Sequence, residues 1–137
     1  MGRLQPDERI NMHYEEFIKN VQSLGEVESF RDTEKYVEVI LATFGERLTG
    51  TEIAELGAQL PVQIKKYLIE KRDVDRFPLY EFYNRICERL NIGYAKAEKI
   101  TQAVMDTLKI AITPGVLRQL LSNLTADYNQ LFFKKQS

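Results

Sequence analysis

Residues 37–61 read VEVILATFGERLTGTEIAELGAQLP. Val37, Ile40, Leu41, Phe44 and Leu48 recur at three- and four-residue steps, the spacing of one apolar helix face. Thr49 then breaks the pattern. With Glu52 three residues on, it forms a capping box, in which the threonine hydroxyl accepts from the third helical amide and the glutamate reaches back. Ile53, Leu56 and Leu60 resume the stripe, and Pro61 opens a further helix bearing Ile64, Tyr67 and Leu68. Gly57 lies inside the third stripe, where it suits the close approach of a neighbouring helix. Upstream, Phe17, Val21 and Leu24 make the first stripe, and Ser29 or Asp32 can cap the second helix.

The same order returns further along the chain. Phe17 and Val21 align with Phe82 and Ile86 at an offset of 65. After one slip the offset is 64, so Ile40, Phe44 and Leu48 fall on Val104, Leu108 and Ile112, and Thr49 falls on Thr113. Ile64 and Leu68 fall on Tyr128 and Phe132. Pro114 occupies the first helical position after Thr113, where its missing N–H costs nothing. The positions that begin the first helix of each half, His13 and Pro78, are poor caps, so those starts are expected to be the weaker ones. No stretch alternates with period two for long enough to read as a strand.

The expected fold is therefore all-α, with eight helices as two tandem four-helix repeats packed into one compact domain. A polar tail covers 1–12, repeat 1 covers 13–72 and repeat 2 covers 73–137. A short charged linker, Lys71–Arg76, joins the repeats, and Phe17, Phe44, Leu48, Phe82 and Leu108 should hold the core. Residues 1–72 carry 10 basic and 13 acidic side chains and residues 73–137 carry 9 and 7, so the halves are -3 and +2. Halves of this size bury too little surface to be comfortable alone.

Several function classes fall away. The 137 residues hold 19 basic and 20 acidic side chains, which lacks the basic excess of a nucleic-acid binder. One cysteine and one histidine leave no disulfide, no His/Cys metal cluster and little for a triad. There is no phosphate-binding glycine loop, so no cofactor is expected. No apolar run is long enough to span a bilayer, and the first residues lack the apolar core of a secretory signal. A cytoplasmic protein is expected, monomeric or weakly homodimeric. His13 reads as a helix-boundary residue and Cys87 as a small hydrophobe. Glu34 with Glu38, and Glu52 with Glu55, read as solvated or capping carboxylates.

The residues that remain are aromatic. Tyr83 and Tyr94 fall off the main stripe and are expected at the surface. Phe133 is the surplus apolar residue in Leu131-Phe132-Phe133-Lys134-Lys135. Together they suggest a non-catalytic interaction or regulatory module with a protein partner. The alternative is a small-molecule or lipid binder with an apolar cavity between the repeats, lined by Phe44, Leu48, Leu108 and Ile112.

The stretch Phe44-Gly45-Glu46-Arg47-Leu48-Thr49-Gly50, followed by Glu52 and Ala58-Gln59-Leu60-Pro61, resembles the bacterial family called domain of unknown function 2267. That family has an "EF" start, then "LxERLSGGE", then "QLP". Glu16-Phe17 and Glu81-Phe82 are similar to its two starts, and the resemblance covers residues 13 to about 133. The second half departs from it, with Thr113-Pro114-Gly115-Val116 and Asn123-Leu124-Thr125 at the corresponding places. The resemblance implies a helical fold and no activity.

Overall fold

The computed structural model describes residues 12–70 and 74–133. The expectations for residues 1–11, for the linker at 71–73 and for Lys134 and Lys135 lie outside them. Among the described residues the structure is all helical, with no strand. The elements are α1 Tyr14–Gly25, α2 Phe30–Arg47, α3 Gly50–Gly57, α4 Val62–Ile69, α5 Leu79–Leu90, α6 Tyr94–Ala111, α7 Pro114–Asn123, a 3-10 turn Ala126–Tyr128, and α8 Asn129–Phe132.

The first two helices of each half match in length. α1 and α5 each have 12 residues, and α2 and α6 each have 18. α1 and α5 both end on a left-handed residue, Glu26 at φ 54° and Asn91 at φ 55°. The last helix of the second half differs. Tyr128 N–H bonds back to the Thr125 carbonyl at 3.0 Å, a three-residue step, and α8 follows as a single turn.

The packing is reciprocal. The first helix of each half lies on the second helix of the other, α1 on α6 and α5 on α2. α2 also carries α4, α6 carries α8, and α3 meets α7. One apolar cluster therefore runs through both halves. Phe17, Phe44, Leu48, Phe82 and Leu108 are all fully buried in it. The Phe44 ring meets Phe82 edge-on at 6.1 Å and Phe132 at the same distance.

The caps show how the halves lean on each other. The Thr49 hydroxyl accepts from Glu52 N–H at 3.3 Å, and the Glu52 carboxylate accepts from Thr49 N–H at 2.8 Å. In the second half the Thr113 hydroxyl accepts from Val116 N–H at 3.3 Å, but Val116 cannot reach back. Gln59 of the first half does so instead, its side-chain carbonyl accepting from Thr113 N–H at 2.8 Å. α5 likewise starts at Pro78 with no local cap, and the Asp127 carboxylate accepts from Leu79 N–H at 2.8 Å. Burial works against that carboxylate, yet the Thr125 hydroxyl and the backbone amides hold it below the usual range. α1 is less well served: at His13 only Glu16 reaches back, to the His13 N–H at 3.0 Å.

Candidate functional site

Two features of the described surface depart from an ordinary helical scaffold. The first is a buried ionic cluster where α2 ends. Glu46 and Arg47 are consecutive and both nearly inaccessible. The Glu46 carboxylate accepts from Arg85 at 3.0 Å and from Arg89, both on α5. Arg85 also donates to Asp75 and Glu81, each at 2.9 Å, and stacks 3.9 Å from the Phe77 ring centre. Arg47 donates to the Phe77 carbonyl at 2.9 Å and lies over the Tyr128 ring. The Tyr128 hydroxyl donates to that same carbonyl at 2.7 Å. Asp75 N–H bonds to the Glu46 carbonyl at 2.7 Å. Every bond here ends within the chain, so the cluster fastens the segment 75–79 to both halves.

The cluster yields a stability prediction. Glu46→Gln keeps the shape and removes the charge that two guanidinium groups share. Breaking a fully buried pair costs about 3–5 kcal/mol, but Arg85 and Arg89 still reach water, so about 2 kcal/mol is expected here. Urea unfolding should show a lower midpoint with an unchanged slope.

The second feature is a groove of about 570 Å³ in which α1, α5, α6 and α8 meet. Leu79 and Ala103 lie at its base, and Leu24 stands exposed at its edge. Tyr83 and Tyr94 line it together, with ring centres 5.2 Å apart. Tyr94 is half exposed, but Tyr83 is only 5% exposed. The expectation of a surface Tyr83 is therefore corrected: the ring turns inward between Phe82 and Tyr94. Tyr83 stands four residues after Leu79 and three before Ile86, both buried, so it lies on the apolar face of α5 after all, and Tyr94 at the start of α6 packs over it. Burial, then the Glu98 carboxylate, raises both phenols above the usual range. Both are neutral donors at physiological pH. Along α6, Glu98, Gln102 and Asp106 form a polar wall one turn apart.

Phe133 is not part of this groove. It is exposed beyond α8, with the Lys109 ammonium 4.9 Å from its ring centre. Lys109 also donates to the Phe132 carbonyl at 2.6 Å, closing the helix end. His13 is exposed at the start of α1, and Cys87 is half-buried on α5. Glu34 has a structural role, accepting from the Tyr14 hydroxyl at 2.6 Å. Among the described residues, no group of three His, Cys, Asp or Glu side chains converges as a metal set. No helix there is long and apolar enough to cross a membrane. Phe44, Leu48, Leu108 and Ile112 are buried against neighbouring side chains and line none of the surface concavities described.

Sequence reasoning missed the ionic cluster, because Glu46 and Arg47 sit at a helix end where charge is ordinary. A signal was present: Arg85 and Arg89 stand one turn apart on α5, on a helix whose other face must be buried.

The family model described as uncharacterized conserved protein (DUF2267) matches residues 14–131. The chain belongs to this family. No curated protein matches the chain.

Proposed function

We propose that the chain is a non-catalytic module that binds a protein partner through the groove between α1, α5, α6 and α8. The observation that carries this reading is the pairing of Tyr83 and Tyr94 in an open groove beside exposed Leu24. Rigid tyrosine rings supply contact area at low entropic cost, with a hydroxyl for pairing. The interior speaks against the alternative of an enclosed apolar cavity, since Phe44 is in ring contact with Phe82 and Phe132. We also take the halves as tandem repeats of one cooperative domain, which the matching helix lengths and reciprocal packing favour. A cytoplasmic, monomeric or weakly dimeric protein fits the balanced charge.

Site-directed photo-crosslinking tests the groove. A photoreactive phenylalanine analogue at Tyr94 should trap a discrete partner in the native cell. The same analogue at Val62, which is more exposed and lies at the start of α4, should not. Tyr94→Ala should reduce recovery of that partner severalfold while costing about 1 kcal/mol of stability, the worth of its ring contact with Tyr83, so the fold is kept. Equal trapping from both positions, or recovery unaffected by Tyr94→Ala, would remove the groove as the docking surface.

A further inference from the structure

We infer that the groove receives a basic amphipathic helix, with lysine or arginine side chains meeting Glu98 and Asp106. This inference rests on the groove being the docking surface, and it names the partner's chemistry. It comes from comparing the two halves. In the first half one end of the corresponding slot is filled from within, and only about 140 Å³ stays open beside Glu38, Val39 and Ala42. The Tyr14 hydroxyl donates to Glu34 at 2.6 Å and meets the Tyr67 hydroxyl at 2.9 Å, with the two rings edge to face. The repeat offsets carry Tyr14 to Leu79, Glu34 to Glu98 and Tyr67 to Leu131. Both hydroxyls are thus lost in the second half, while the carboxylate is kept. Among the described residues, no hydrogen bond or ion pair engages Glu98.

The surrounding charges select the donor that is missing. Asp106 accepts from the neutral Gln102 amide at 3.0 Å and is in no ion pair among the described residues. Lys99, the basic residue of the groove wall, pairs with Glu26 and not with Glu98 or Asp106. Two carboxylates therefore line the groove without an ion-pair partner, next to the half-exposed Tyr94 ring, whose face also attracts cations. Glu98 and Asp106 are eight residues apart on one face of α6, about 12 Å along the axis. A partner helix laid along α6 meets both with two basic residues two turns apart, and its apolar residues between them face Tyr83, Tyr94 and Leu24. An acidic or phosphorylated segment would set like charges against each other.

The test uses the full chain and three alanine- and leucine-based helical peptides, alike except for two lysines, two glutamines or two glutamates placed two turns apart. Amide chemical shifts report the site and the affinity. At low salt the lysine peptide should shift the signals of Tyr94, Glu98 and Gln102 and bind at least about tenfold more tightly than the glutamate peptide. The preference should shrink as salt is added. Glu98→Gln should weaken the lysine peptide about threefold or more, and Glu98→Lys should reverse the preference. Glu98 is exposed and unbonded, so both variants should melt like the parent. Equal binding of all three peptides in the groove overturns the basic partner and leaves the docking reading standing. Absence of groove shifts with any peptide overturns both.

Discussion

Gly45→Ala should destabilise the protein by about 3 kcal/mol or more, although it adds a single methyl group on a helix. A Cβ at Gly45 would lie 2.8 Å from the Leu68 carbonyl carbon and 3.3 Å from its Cα, with the carbonyl oxygen closer still. These are backbone atoms near the end of α4, so no side chain can turn aside to make room. Relief requires α4 to move off α2, and with it Ile64 and Leu68, both fully buried. Overpacking typically costs 1–3 kcal/mol, and a backbone obstacle belongs at or above the top of that range. Alanine is the better intrinsic helix former by about 1 kcal/mol, which offsets only part of the loss. The fall in melting temperature should be about 10 °C for a chain of this length. Gly57→Ala is the control. There the atoms nearest the added Cβ are carbons of the Lys65 side chain, which can turn aside as no backbone can. A Gly45→Ala variant as stable as Gly57→Ala would mean that α2 and α4 are not in backbone contact.

The contrast between these glycines shows what was legible in the sequence. Periodicity located the helices, and the Thr49 and Thr113 caps located their starts, because both are local properties. Gly57 stood out because it interrupts a short stripe, yet it is Gly45 that admits a neighbouring backbone. That depends on which helix crosses α2, which periodicity does not state. The repeat offset does carry a trace of it: Gly45 aligns with Lys109, and Leu68 aligns with Phe132. In one half the glycine lets the carbonyl of the last helix approach. In the other the lysine binds that carbonyl from a distance. The candidate site was legible only in part. Tyr94 was expected at the surface and lies there, whereas Tyr83 is hidden by a helix from its own half. Glu98 drew no notice, because an exposed glutamate is informative only beside Glu34, whose partner Tyr14 has no equivalent at Leu79.

Neither half should fold alone, and the two halves mixed as separate chains should restore a cooperative transition. Residues 1–72 by themselves would lose α5 from α2 and α6 from α1, exposing Phe44 where Phe82 and Phe132 covered it. Short helices depend on such packed faces more than on their own propensity. Self-pairing is the obvious escape, with a second copy of α1 standing in for α5. The repeat offset shows why it fails. Arg85 and Arg89, which neutralise Glu46, would be replaced by Asn20 and Leu24. A buried carboxylate would face an amide and a methyl group, and a buried charge without its partner is strongly destabilising. The second half has the converse defect. A second copy of its α6 would set Ile110, not Glu46, against both guanidinium groups. Each half is therefore built to accept the other and to reject itself. Circular dichroism with denaturant, and sizing by light scattering, should find no cooperative transition in either half. Equimolar mixing should recover helical signal and a one-to-one complex. If each half is a folded monomer of stability comparable to the whole, the ionic cluster does not bind the halves together, and the groove that spans them has no fixed shape.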